Sequence, residues 1–571
     1  MTRIFRITWR CHLYLFLSFL SSTFALSSSS KAQQVIVVGG GVGGLSTAAR
    51  IASSLPNVSV LVLEKNDYIG GRCGSFTIST PKGNFRHERG PSLLLLKDYY
   101  VDLFQECSSH KKGILDYGLK MVDCIPAYQV IFDDGDRIEL GFSSGIDCSI
   151  RETCSREKMN AYEFNGSKKW DTYMKTMAAY LDCGLPNFIE EKLDLKSFPS
   201  FLKESLRDGA QAWPLKPHSD VLDGIFQSTK MKVLASFQNL YVGLEPYRNN
   251  GQQLFGGILR KTAPAVFGLL AAIELHPTKG GVYAPIGGFE AVTKALERLV
   301  LDQGVEIRCN STVTRVTDKG VHVRSESSME NYFIPADLVI VNADLPYSTK
   351  VLMNDAEEVR YDWDDNYDFS SGVIAFHWSI EGELTDLNTH NVFLVANSRE
   401  NAEASWRVLR DHQDTTTLDD DLEPFNFYVH RASCADDTAA PQGCDSILVL
   451  VPCATLTRLP ECEFLSRSDA FARYQEQFND DIIAQARNRV LQRMAAIPSL
   501  QGLKSRIIHE VVDTPASYAE QYHVAAGTPF GLSHGLAQLS FMRPGALCSK
   551  YSNVFFVGAS SRPGNGVPLV L

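Results

Sequence analysis

Three glycines, Gly39, Gly41 and Gly44, stand within the run Gly39-Gly40-Gly41-Val42-Gly43-Gly44, and an acid, Glu64, follows 20 residues after the last of them. That spacing suits a pyrophosphate and a ribose. Gly39 permits a tight turn, Gly41 lets the backbone approach a phosphate, and Gly44 lets a helix pack closely on a strand. A helix N-terminus opening there would present unpaired N–H groups and the positive end of its dipole. Glu64 would accept hydrogen bonds from ribose hydroxyls, and its charge disfavours a 2′-phosphate. Gly70-Gly71-Arg72 then makes a second tight turn that carries a cation.

The elements that must hold these residues are legible around them. Residues 34–38 are an apolar run that stops at Gly39, residues 45–55 have helical apolar spacing, and residues 58–63 form a second apolar strand ending at Glu64. Strand, turn, helix and strand in that order make the glycine pattern specific, where the glycines alone would be weak evidence and would not separate FAD from NAD. Farther on, residues 280–286 lead through Gly287-Gly288 to a helix at 291–303, with strands at 305–309, 313–316, 321–325 and 338–344. The reading is of an α/β chain. A discontinuous Rossmann-like nucleotide domain takes 31–100, 280–345 and 545–571, and an inserted α+β substrate domain takes 101–279 and 346–544. Within the latter, helical patterns alternate with polar connections such as 144–158. The most apolar helix-like stretch, 263–275, is too short to cross a bilayer.

The C-terminal segment from Asn553 contains Gly558, Arg562, Pro563, Gly564, Gly566, Val567 and Pro568. It resembles the closing signature of the bacterial and fungal carotenoid desaturases, the phytoene desaturase family of the flavin amine-oxidase-like superfamily. Other segments resemble that family in the same order: Phe85 with Gly90-Pro91-Ser92, 280–290, Asn342-Ala343-Asp344-Leu345-Pro346, Phe427-Tyr428-Val429-His430, and 530–539. The resemblance implies FAD as cofactor. It implies that Arg72 meets the flavin or its phosphates, that Val313 makes a backbone contact to adenine, and that Gly558, Gly566 and Val567 bring backbone close to the isoalloxazine. Two departures stand out. Arg562 occupies a position where the family often has His, and the chain stops at Leu571, where the family continues into a helix beneath the flavin.

The implied reaction is desaturation of a long apolar polyene such as phytoene, with a quinone or oxygen taking the electrons and a membrane surface supplying the lipids peripherally. On the same scaffold stand carotenoid cis–trans isomerisation, carotenoid oxidation and retinoid saturation. A reading of another class is a prenyl-lipid carrier resembling the Rab GDP-dissociation inhibitors, which would not need Glu64, Arg72 or the 558–568 turn. No proton acceptor stands out; His430, His523 and His534 are candidates by type, each more often structural.

Composition narrows the field. Of 571 residues, 44% are hydrophobic and 21% charged, which fits a globular chain and neither a disordered one nor a polytopic membrane protein. A net charge of −11 disfavours nucleic acid, whose binding rests on clustered Lys and Arg. The 13 cysteines lack the close pairs of a zinc site or a disulfide framework and read as reduced thiols, with Cys434 and Cys444 a pair that could in principle be bridged on proximity in sequence alone. The first thirty residues, with Arg3, Arg6 and Arg10 ahead of an apolar 13–20, read as a targeting segment outside the fold. It suits a cleaved signal sequence and a plastid reached by the secretory route, with a one-step transit peptide, an uncleaved anchor, an endomembrane site or secretion as the alternatives. Asn57, Asn165 and Asn310 stand in N-x-S/T sequons read as chance matches, Asn57 because it abuts a buried strand. The acidic stretch 414–421 reads as a solvated loop.

Overall fold

The computed structural model describes residues 33–142, 146–186, 198–205, 213–247, 263–278, 280–354, 367–406, 425–462, 465, 467–535, 538–539 and 542–571. Both the leader and the acidic stretch 414–421 lie outside these.

Continuous apolar runs such as Val35–Val38 and Val60–Leu63 can be stable only where both faces are covered, as in a parallel sheet. The structure builds one. Its five strands run in the order Val554–Phe556, Leu338–Val341, Gln33–Val38, Val58–Leu63, Glu306–Arg308, and every neighbouring pair is parallel. One face packs on the helices Val42–Ser54 and Phe289–Asp302. The other packs on Val313, Val316, Val321 and Val323 of a three-stranded antiparallel sheet, Ser311–Thr317, Gly320–Ser325 and Asn331–Pro335. Three separated stretches of chain therefore meet at the end of the first strand, where Gly39 stands.

A seven-stranded sheet follows the order Ile507–Asp513, Gly372–Glu381, Cys444–Cys453, Phe427–Arg431, His390–Leu394, Tyr128–Phe132, Arg137–Leu140. All its pairs are antiparallel except His390–Leu394 with Tyr128–Phe132. Alternate side chains go to opposite faces, so Val392, Leu394 and Tyr428 join the core that includes the Gly166–Gly184 helix. Phe393, Phe427 and Val429 join the core on the other side.

Three sequence expectations are corrected. Residues 144–158, read as a polar connection, lie mostly in the helix Ile146–Tyr162; it buries only a narrow strip that includes Ser155 and Met159, and Arg151 and Lys158 pair with Glu139 and Asp136. The stretch read as helical also contains the strands Met121–Asp123, Tyr128–Phe132 and Arg137–Leu140, short apolar runs whose period cannot by itself tell strand from buried helix. Asn57 does abut the buried strand Val58–Leu63, but this does not shield its side chain. It is exposed, and Asn57, Asn165 and Asn310 all adopt positive φ, 63°, 57° and 53°, a turn conformation that asparagine tolerates better than most residues.

The apolar stretch 263–275 begins with a 3₁₀ turn, Ala265–Gly268, and continues as the α-helix Leu269–Leu275. Among the described residues no helix is long and apolar enough to cross a membrane. Cys434 and Cys444 are both free thiols.

Candidate cofactor site and apolar chamber

The Gln33–Val38 strand ends in a turn that only glycine fits. Gly39 has φ of +98°, and a Cβ there would lie 3.0 Å from the Asn342 carbonyl oxygen. At Gly44 a Cβ would come within 2.2 Å of the Gly39 carbonyl oxygen, so the helix sits directly on the turn. The Val42–Ser54 helix begins after Gly41 with no side-chain cap and no acid in its first turn. Its first N–H groups, with Gly41 and Gly43 beside them, face a cavity of about 460 Å³.

Glu64 enters this cavity from the end of the next strand, 5% exposed. Its Oε2 accepts from the Gly40 N–H at 2.8 Å and its Oε1 from the Asn66 N–H at 2.9 Å. Burial pushes this carboxyl up from its ordinary range, and the backbone N–H groups pull it back. Glu64 thus ties the glycine turn as well as facing the place where a ribose would lie. Replacing it by Ala is expected to lower both flavin content and thermal stability, read from the flavin-to-protein absorbance ratio and a melting curve. Unchanged flavin content would sink its assignment to the ribose.

The remaining predicted residues converge here. Val313 lines the cavity with Ser311 and Thr312. Gly70 donates its N–H to the Gly40 carbonyl at 2.8 Å, which joins the second glycine turn to the first. Arg72 follows on the wall, with Nη1 donating to the Pro529 carbonyl at 2.6 Å. From the Val554–Phe556 strand the chain turns at Gly558, φ +127°, and again at Gly566, φ +127°, before the short helix Val567–Val570; Gly558, Gly566 and Val567 all line the cavity.

Of the candidate histidines only His523 reaches the cavity wall, with its ring 4.6 Å from that of Tyr347. His430 lies outside it, stacked on His390 at 5.2 Å, and burial drives it down to about 3. His534 is buried too, and its Nε2 accepts the Asn565 N–H at 3.2 Å, so it props the 563–568 turn.

Several residues on which the site depends were not singled out from sequence. Arg543 and Asp344 hold the turn after Gly558: Arg543 donates to the Ala559 and Ser561 carbonyls, and Asp344 accepts from the Ser560 hydroxyl at 2.5 Å and the Ala525 N–H at 3.0 Å. Away from the glycine turns the cavity continues into an apolar arm walled by Leu93, Leu240, Val242, Leu270, Phe427 and Leu450, with Glu274 among them. A carboxylate alone in the apolar stretch 263–275 was the signal that could have found Glu274.

Residues 37–107 match the NAD(P)-binding Rossmann-like domain. The chain is 29% identical over 549 residues to the phytoene desaturase of Fusarium fujikuroi, covering 94% of this chain and 87% of that protein. The chain is a homologue of the phytoene desaturases. It is also 26% identical over 548 residues to the 4,4′-diapophytoene desaturase (4,4′-diaponeurosporene-forming) of Staphylococcus aureus, covering 94% of this chain and 96% of that one. Among solved structures, a putrescine oxidase variant aligns over 94% of this chain and 96% of its own with a TM-score of 0.52 at 13% identity, a likeness of fold. The residues in place fit FAD: two glycine turns whose Cβ positions are taken by backbone or Asn342, an acid for the ribose, and a third glycine turn at Gly558 beside the first, against the same Asn342 side chain.

Proposed function

We propose that this chain is an FAD-dependent desaturase of a long apolar polyene of the carotenoid class. The observation that carries the reading is the continuity of one cavity from the glycine turns into an arm walled by Leu, Val and Phe side chains. Bound there, FAD supplies a hydride acceptor for an unactivated C–H bond.

The chain's own residues do the rest. The Val42–Ser54 helix terminus and Glu64 bind the diphosphate and ribose ends, and the Val313 backbone receives the adenine. Arg72 and the Gly558, Gly566 and Val567 backbone hold the ring system, where N–H groups and a cation favour the negative charge that builds on reduction. The apolar arm excludes water and holds the polyene extended, so that one C–C bond stays aligned over the ring. In this reading 31–100, 280–345 and 545–571 serve the cofactor, and 101–279 with 346–544 serve the substrate.

A substrate that lives in lipid calls for peripheral engagement of a membrane, and the same lipid phase offers a quinone as electron acceptor beside oxygen. The basic and apolar leader supports delivery to a plastid through the secretory route.

The test is an anaerobic titration of the purified flavoprotein with phytoene in liposomes. Bleaching of the oxidised-flavin absorbance with formation of longer polyenes is expected. Bound flavin that stays oxidised with both phytoene and diapophytoene would overturn the reading.

A further inference from the structure

The Leu269–Leu275 helix, LLAAIEL, carries one ionisable side chain, Glu274. It lines the apolar arm and is 2% exposed. Neither carboxyl oxygen makes a hydrogen bond of normal geometry. The groups facing it come from four elements: Gln238, Tyr128 of the Tyr128–Phe132 strand, Tyr173 of the Gly166–Gly184 helix, and Tyr428 of the Phe427–Arg431 strand. His390, which bonds the Tyr428 hydroxyl at 2.6 Å, is kept neutral by burial, so among the described residues no cation offsets the charge of Glu274.

A carboxyl in this position is costly as packing. Burying an ionised acid with neither a cation nor a good hydrogen bond is strongly unfavourable, and a leucine would complete the helix face without that cost. Burial pushes the carboxyl up to about 8, with Gln238 and Tyr128 opposing. Groups so displaced on the wall of a cavity are where proton chemistry is found, and a base acts best when it titrates near the working pH.

We propose that Glu274 is the proton acceptor of the desaturation, taking the proton from the carbon next to the one that gives up its hydride. The inference rests on the desaturase reading above. Two C–H bonds of the polyene break. One leaves with its electron pair as hydride to the flavin, which is reduced; the pair of the other becomes the new π bond, and its proton goes to a Glu274 carboxylate oxygen. Gln238, Tyr128, Tyr173 and Tyr428 are the polar groups that face that carboxyl among the described residues, and burial keeps the Tyr173 and Tyr428 hydroxyls protonated.

Glu274→Gln and Glu274→Asp, made in the full chain with bound flavin, test this. In the wild type, flavin reduction by phytoene in liposomes should speed up as pH rises through about 8, as the carboxyl ionises. Glu274→Gln should keep its flavin and melting temperature, lose that limb, and reduce flavin about 10²-fold more slowly or worse. Glu274→Asp, with the carboxyl drawn back by one methylene, should retain the limb at a lower rate. Infrared pH-difference spectra without substrate give a reading independent of turnover: a protonated-carboxyl band should vanish on raising pH through about 8 and be missing from Glu274→Gln. A Glu274→Gln protein that reduces flavin within about threefold of wild type would overturn the proposal and leave the desaturase reading standing. Wild-type flavin untouched by either polyene would overturn both, and Glu274→Asp decides the matter should Glu274→Gln fail to fold.

Discussion

Gly44→Ala is expected to yield a protein that purifies without flavin and melts well below the wild type. The added Cβ would sit 2.2 Å from the Gly39 carbonyl oxygen and 3.3 Å from the Asn342 Cβ. The first of these is backbone in a turn fixed by Gly39 at φ +98°, so it cannot swing aside as a side chain would. The helix must instead slide away from its strand. Overpacking of this kind costs about 1–3 kcal/mol or more, and here the shift also withdraws the helix N-terminus from the place where it would meet the diphosphate. Gly43→Ala is the informative companion. Its Cβ would meet the Asn342 Oδ1 at 2.9 Å and the Val557 Cγ2 at 3.3 Å, side-chain atoms that can shift more readily than the backbone met at Gly44. A milder loss of flavin is expected. Absorbance ratios and melting curves of the two variants check the ranking, and full flavin at normal stability in Gly44→Ala would remove the turn from the cofactor site.

The same contrast between local and distant constraint explains what could be read in the sequence. The strand, turn, helix, strand and acid of residues 33–64 lie within one short stretch, and each has a chemical signature of its own, so their placement was legible. The order of the seven-stranded sheet was not. Its parallel pair joins Tyr128–Phe132 to His390–Leu394, and nothing in either strand names a partner more than 250 residues away. The Ile146–Tyr162 helix was missed because its mostly exposed surface carries little hydrophobic periodicity. Residue type misled for the histidines: His430 and His534 answer to the chemistry of a base, but full burial holds both in the neutral form and occupies them with ring stacking or the Asn565 N–H. Glu274 went unremarked because its stretch was judged for its length as a span rather than for the one charge inside it.

Arg543 is where the loss of a single side chain should separate support of the site from support of the fold. It is 1% exposed, and its guanidinium donates to four backbone carbonyls: Leu532 at 3.1 Å, Ser533 at 2.9 Å, Ala559 at 2.7 Å and Ser561 at 3.2 Å. The first two belong to the 530–535 loop and the last two to the turn after Gly558, so one planar fork fastens the turn to its neighbour. Burial lowers this group to about 10, with the Asp344 charge opposing. In Arg543→Met the charge is gone but four carbonyls lose their donor, and with about 1–3 kcal/mol for each buried group left unpaired and some relaxation, a net loss of about 3–5 kcal/mol is expected. Arg543→Lys keeps a donor that can serve one or two of the four, and should fall between. The turn carrying Gly558, Gly566 and Val567 is the part that loosens, so flavin affinity should weaken first. Because a ligand that binds only the folded state stabilises it by RT ln(1 + [L]/Kd), a given excess of FAD should raise the melting temperature of the wild type more than that of Arg543→Met, so the deficit should widen as FAD is added. An equal deficit with and without added FAD would mean that Arg543 holds the fold together and leaves the site indifferent. A deficit that widens with FAD would place the guanidinium in the service of the turn, and through the turn of the cofactor.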